Sequence, residues 1–445
     1  MKKQIIHTAL ALMFPAVVFT ACQFEDDDYF NKSASLRVEY ANERIGQILV
    51  KPEQGWVMQY FTGTGVAHFE GFNLFARFES SGKVTLASNH RLLRDGNANK
   101  YTEHASLYQL LLEDGPVLAF NTWNNILTPF VDPVAPWKAP KSLLKDGAGM
   151  EGDNNFVVMS YDDNEMILRG ERHGAEVRLV ACDRTWQEYI DATDQMKATV
   201  SNQTIGSYYV TNGTDTLYLT GLRNGRMRYS ERLNDPLKTD SLSGVFTPKG
   251  FRFEHETELG DNKFHELTLS ADSTCLESED GQTRIIACWD NYIVSRTTLW
   301  TFDPSSYSAQ QQALVQQIDQ EILKFNKNWS LASIGMGKTN NKNAVNGLVF
   351  TFYTNTRKSS TNTAGLALTT SRPAYGQITI TVSPDDAVDG NLDNVVNRGA
   401  TDMITLARQF AATLAGTYNM TPDNYFLPTG AEFTAIDGGT SFKLH

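Results

Sequence analysis

The chain has 445 residues, with 39 Lys and Arg against 51 Asp and Glu, a formal charge of −12 and a pI near 5.2. Its 41% apolar and 20% charged residues and mean hydropathy of −0.35 are those of a folded globular protein and exclude disorder over most of its length. The acidic balance, with no basic face, excludes nucleic acid as an expected partner, and four cysteines are too few for a disulfide scaffold.

The first elements in chain order form an address. Lys2 and Lys3 precede an apolar stretch, Ile5 to Phe19, of signal-peptide length and too short to span a bilayer. Phe19-Thr20-Ala21-Cys22 resembles the bacterial lipobox, in which small residues precede a cysteine that is cleaved and diacylated, with Phe19 where Leu is usual. The alternative is an uncleaved or ordinary secretory signal. Gln23, Glu25, Asp26, Asp27 and Asp28 follow directly and resemble the surface-export tag of Bacteroidetes lipoproteins; the plainer reading is a solvated acidic tether. Residues 1–21 therefore read as a lipoprotein signal peptide and 22–32 as an acidic tether. Cleavage removes Lys2 and Lys3 and takes the formal charge from −12 to −14. Such a surface repels anionic lipid, so acyl chains on Cys22 would hold it to the membrane.

Residues 33–50 have helical spacing, with Leu36, Tyr40, Ile45, Ile48 and Leu49 near one face and Gly55 as the break. Short strands then alternate with turn signals. The clearest pairs are Leu107–Leu112 with Val117–Phe120 and Phe156–Tyr161 with Met166–Arg169, and Val177–Ala181 closes the set. Pro129–Pro140 reads as a Pro-rich loop and Gly147-Ala148-Gly149 as a flexible one. Thr185 and Glu188 have capping-box spacing for a helix to about Thr199. A second strand set runs from Tyr208 to about Phe302. Helices are predicted over Ala309–Phe325 and about Asp402–Ala415, the latter stopped by Gly416. Between and after them come strands near Leu348–Tyr353, Gly365–Thr370, Gln377–Val382, Glu432–Ile436 and Ser441–Leu444. The expected fold class is α+β: mostly antiparallel β-sheets, meander or sandwich-like, with a few packing helices. The expected units are a helix-flanked antiparallel β domain over 33–200, a β domain over 201–304 and an α+β domain over 305–445. The helix before Trp56 and the helix before Trp329 each lead into a strand, which raises an internal duplication.

No catalytic signature stands out. Ala332–Thr339 imitates a phosphate-binding loop, but turn residues Asn340–Asn343 follow where a helix is needed, so the stretch reads as a flexible hairpin loop. His255 and His265 are not at zinc-ligand spacing. A hairpin turning over Gly260–Lys263 would place Leu259 against Phe264, His255 against Thr268 and His265 against Glu258. Asp162–Glu165 supplies too few ligands for calcium. Carboxylate pairs for hydrolysis cannot be assigned in a chain this rich in Asp and Glu. A turn centred on Asp280-Gly281 puts Cys275 opposite Ile286, so Cys275 and Cys288 read as free buried thiols rather than a bridge. Trp56, Trp186, Trp300 and Trp329 fall in core patterns. Trp123 and Trp137 lie in or beside polar and Pro-rich loops and are the candidate ligand-binding aromatics. Neither a metal nor a cofactor is expected.

Several segments taken together carry a resemblance: Cys22 with its acidic run, Arg37, Gly55-Trp56 with Tyr60, Phe75–Val84, Tyr108–Phe120, Gly149–Phe156, Leu168 and Gly170. In these the chain is similar to Bacteroidetes surface lipoproteins of domain of unknown function family 4302, over roughly residues 22–200 and more weakly to Leu444. The Glu151–Phe156 stretch departs from the family's usual pattern. The resemblance implies a lipid-anchored outer-membrane protein facing the medium, an accessory of a starch-utilisation-type import system. Its partners would be an outer-membrane importer and a binding lipoprotein, and its ligand a glycan or peptide. It carries over no catalytic residue. A surface hydrolase with a carboxylate-based site, and a structural or adhesion protein, are the alternatives.

Overall fold

The computed structural model describes residues 34–62, 69–90, 93, 100–113, 115–132, 150–201, 204–230, 241–295 and 298–445. The signal peptide, Cys22 and its acidic run, Trp137 and the Gly147–Gly149 loop lie outside the described residues. The first helix, α1 (Ala34–Leu49), buries Ile45, Ile48 and Leu49. Leu36 and Tyr40, predicted on that face, are 53% and 60% exposed, so the burial of the helix is concentrated in its last turns. Gly55 turns the chain with φ +72°, and a Cβ there would stand 2.5 Å from the Ala76 carbonyl oxygen.

Eight strands follow in a simple meander: β1 (Trp56–Phe61), β2 (Phe72–Phe78), β3 (Lys83–Ser88), β4 (Thr102–Leu112), β5 (Pro116–Phe120), β6 (Asn155–Tyr161), β7 (Glu165–Gly170) and β8 (Glu176–Ala181). The meander expectation holds, but the sheet does not fold over as a sandwich. It closes on itself where Trp56 pairs with Ala181 and Phe61 with Glu176. Closure removes both sheet edges. Trp56, Met58, Tyr60, Leu74 and Phe156 fill the interior together with Ile48 and Leu49 of α1. A short helix, α2 (Thr128–Val131), begins where a Pro-rich loop was expected, with Pro129 in its first turn and Phe130 in the same core.

Helix α3 (Trp186–Val200) leads to the second barrel. Thr185 accepts from the Glu188 N–H while the Glu188 carboxylate accepts from the Thr185 N–H. The strands are β9 (Ser207–Thr211), β10 (Thr216–Thr220), β11 (Arg226–Ser230), β12 (Ser241–Thr247), β13 (Gly250–Leu259), β14 (Asn262–Leu269), β15 (Leu276–Ser278) and β16 (Arg284–Ala287), which returns to β9. Helix-then-barrel order thus recurs at α1 and at α3. The helix before Trp329 leads instead into an open sheet.

The register of the β13–β14 hairpin differs from the sequence expectation. Leu259 pairs with Asn262 and Thr257 with Phe264, while Thr268 pairs with Gly250. Between Arg252↔Glu266 and Thr257↔Phe264, residues 253–256 stand opposite His265 alone. This bulge takes up the slack that a uniform register would have spread along the strand. Leu276 opposite Ile285 continues the register predicted for Cys275, and Cys182, Cys275 and Cys288 are free and buried.

The C-terminal part holds α4 (Trp289–Val294), β17 (Trp300–Thr301), α5 (Ala309–Phe325), β18 (Ser330–Lys338), β19 (Asn346–Tyr353), β20 (Thr361–Ala367), β21 (Thr369–Ser371) and β22 (Gln377–Thr381). Helices α6 (Gly390–Asn397) and α7 (Met403–Ala412) and strands β23 (Gly416–Pro422), β24 (Ala431–Gly438) and β25 (Phe442–Leu444) complete it. β17–β20 form one sheet and β21–β25 another. The imitation phosphate loop is corrected by β18: Ile334–Lys338 pair in register with Phe350–Asn346, so the stretch is strand and not a flexible loop. Gly416 is not the stop of α7; Thr413 caps that helix and Gly416 opens β23.

Candidate functional site

On the outside of barrel 2, β9 and β10 carry Tyr209 and Tyr218 opposite each other, with ring centroids 5.2 Å apart. The turn after β21 brings Arg372 and Tyr375 over them, and the Tyr209 and Tyr375 rings meet edge to face at 5.1 Å. Together with Thr211, Thr216 and Ile286 these side chains line a cavity of about 480 Å³. Tyr375 is 40% exposed and Tyr218 half-buried, so ring surface faces solvent.

The floor of this pocket is a fixed polar network. Asp290, fully buried in α4, takes the Arg372 guanidinium and the Gly376 N–H (3.3 Å). Arg372 also donates to the Tyr209 hydroxyl at 2.6 Å and to Asn291 Oδ1 at 3.0 Å. Burial, and then the Asp290 charge, push the Tyr209 and Tyr375 phenols well above their ordinary range. The same two causes push the nearby Cys288 thiol up to about 12. These groups therefore stay protonated at neutral pH. The lining offers ring faces, hydroxyls and a guanidinium.

Some carboxylates are committed to contacts that join the barrels. Arg178 on β8 bridges Glu165 at 2.8 Å and Glu266 of barrel 2 at 3.0 Å. Asn73 donates to the Phe246 carbonyl at 2.9 Å, and the Gly71 N–H to Gly244 at 2.9 Å. Arg252, 5% exposed, lies over the Phe61 ring, and burial together with the Arg178 charge pull its pKa down to about 10. A cleft of about 710 Å³ also opens between the barrels, with Lys197, Arg223, Arg226 and Arg228 against Glu70 and Asp194. Arg223 donates to the Ser201 carbonyl and Lys197 sits over the Phe246 ring, so part of that positive charge is structural.

Of the sequence-predicted aromatics, Trp123 is 61% exposed after β5, its indole N–H donating to Asn125 at 2.7 Å. It does not line the tyrosine pocket. Asp162 caps its own turn, and Asp163 takes Arg44 at 2.7 Å and Lys51 at 2.6 Å, which leaves no calcium site there. Among the described residues no group of three His, Cys, Asp or Glu could hold a metal ion, and no helix is long and apolar enough to cross a membrane. Sequence reasoning missed the tyrosine pocket. Tyr209 and Arg372 are 163 residues apart, and outward-facing tyrosines on alternating strands look like any half-exposed strand residue.

These features define a tandem antiparallel β-barrel protein with an α+β C-terminal part. The chain belongs to the family described as Domain of unknown function (DUF4302), whose model matches residues 26–271, spanning α1 and nearly all of both barrels. No curated protein matches it. A crystal structure of an uncharacterized protein from Bacteroides eggerthii is similar at 17% identity over 28% of this chain and 96% of its own, with a TM-score of 0.18.

Proposed function

We propose that the protein is a non-enzymatic, lipid-anchored outer-membrane lipoprotein that displays a glycan- or peptide-binding pocket to the medium as an accessory of a nutrient importer. The observation that carries the binding half is the pocket of Tyr209, Tyr218 and Tyr375 with Arg372. Sugar rings and extended peptides present flat apolar faces edged with hydroxyls or amides. Tyrosine faces with a guanidinium and threonine hydroxyls match that pattern. The address half rests on Cys22 and Gln23, Glu25, Asp26, Asp27 and Asp28.

The test uses the full chain. Cells carrying the native protein are shaved with protease, and the acylated protein is pulled from outer membranes and screened on glycan and peptide arrays. The reading expects protease access, co-purification of an importer with its binding lipoprotein, and binding that falls about tenfold in Tyr218→Ala or Tyr375→Ala, the loss of one stacked ring. Cys22→Ala should release the protein from membranes. Protease protection would sink the surface address. Array binding unchanged in both tyrosine variants would sink the pocket.

A further inference from the structure

Barrel 1 and barrel 2 share one strand order, and both have aromatic interiors; side chains of α1 and α2 also enter the core of the first. At one end of the second, marked by the β9–β10 and β13–β14 turns, a cavity of about 350 Å³ enters the barrel. Its walls are Val210, Leu219, Leu242, Phe253, Leu259 and Phe264. Closed barrels of eight strands are wide enough to hold one small ligand. At roughly 30 Å³ per atom, this cavity holds about a dozen non-hydrogen atoms.

Polar groups at this end have one sign in excess. The β13 bulge carries Glu254, His255 and Glu256, and Glu258 follows; all four line the cavity. Lys263 occupies Glu256 at 3.2 Å and Glu258 at 2.9 Å on the outside. Glu254 is different, being only 6% exposed, with His255 Nε2 at 3.9 Å. Burial, helped by the Glu176 charge, pushes its carboxyl above the usual range, and the His255 charge, a hydrogen bond to Ser243 and the Arg252 charge offset only part of that. A cationic head would relieve this cost, whereas an anionic head would add a second buried negative charge beside Glu254. Bulges commonly re-aim a side chain toward a binding site, and this one supplies the cavity's buried acid.

We propose that the open end of barrel 2 binds a small apolar molecule bearing one amine, the body inside the barrel and the ammonium against Glu254. This site is separate from the tyrosine pocket, so neither proposal depends on the other.

Three probes with the same phenyl body and different heads test it by titration calorimetry on the full mature chain with Cys22→Ser: 4-phenylbutylamine, 4-phenylbutanol and 4-phenylbutyrate. The amine should bind saturably, the alcohol more weakly and the carboxylate not at all. Glu254→Gln should weaken the amine at least tenfold and leave the alcohol unchanged, and retained alcohol binding also shows that the variant folds. The amine should protect the amides of residues 253–259 from hydrogen exchange, and Leu219→Trp should abolish binding by filling the cavity. Absence of saturable amine binding, carboxylate binding as tight as the amine, equal amine affinity in Glu254→Gln, or protection elsewhere in the chain would each overturn the proposal.

Discussion

His255 shows how one exposed side chain can report on the joint between the barrels. Its Nδ1 lies 3.3 Å from Glu176 of β8, and Glu254 and Arg252 of its own strand face it as well. The bond to Glu176 raises the His255 pKa above the ordinary 6.5, against the effect of its own burial. Burial pushes Glu176 up, but the hydrogen bond and charge of His255 outweigh it and hold that carboxyl below its usual range. A raised histidine stabilises fully below about pH 6.5 and loses that contribution as pH climbs through its folded value. A depressed Glu176 contributes above about pH 4.5 and fades as pH falls through its folded value. Glu254, with its raised carboxyl, acts in the same direction as His255. Stability should therefore decline from pH 6.5 upward. His255→Gln should make that decline shallower when melting temperature is followed between pH 6 and 8. An identical slope in the variant would contradict the assignment. Nothing in the sequence pointed to this pair, because Glu176 is 79 positions away and the bulge that positions His255 has no sequence signature.

Elements with local signals were legible, and those that depend on distant partners were not. The Thr185–Glu188 capping box names its own helix start. Replacing Thr185 with Ala should cost about 1 kcal/mol in urea unfolding, because the Glu188 N–H then has no acceptor. Thr185→Asn should recover most of it, which separates capping from a general loss of packing. The hairpin β4–β5 was legible for a similar reason: Glu113–Pro116 punctuates two apolar runs. Helix α6 was missed because Asn391, Asn394 and Asn397 resemble loop chemistry, while its cap, Asp389, is recognisable only once its side chain is seen to accept from the Leu392 N–H. The imitation phosphate loop misled because turn residues Asn340–Asn343 follow a stretch that carries Gly335 and Gly337. In the strand they let β17 and Leu299 pass close by, where a Cβ would collide. Barrel closure was illegible for a geometric reason. The pair that makes it, Trp56 with Ala181, joins residues 125 positions apart, and alternation alone fits a sandwich equally well.

At the scale of the whole molecule, two joints decide whether the parts behave as one body. The first lies between the barrels at Gly71, whose N–H donates to Gly244 and whose missing Cβ would strike the Phe61 ring and Val245. Gly71→Val should push the barrels apart and split the calorimetric unfolding peak in two; one unshifted peak would show that this contact does not couple them. The second joint ties barrel 2 to the C-terminal sheets through Asp290 and Arg372. Asp290 is fully buried, so removing only its partner leaves an uncompensated charge in a low-dielectric interior. Arg372→Met should therefore cost about 3–5 kcal/mol in urea unfolding. Asp290→Asn should cost less, since Tyr209 and the Gly376 N–H still find a polar amide. In the double variant no buried charge remains, and its loss should be smaller than the sum of the two by at least about 1 kcal/mol. Additive losses would mean that the two residues hold their own neighbourhoods without holding the parts together. Arg372 also forms part of the tyrosine pocket's lining, so the same cycle read by ligand binding separates the two roles. Stability should follow the buried charge, whereas binding should follow the guanidinium and stay low in the double variant even where stability recovers.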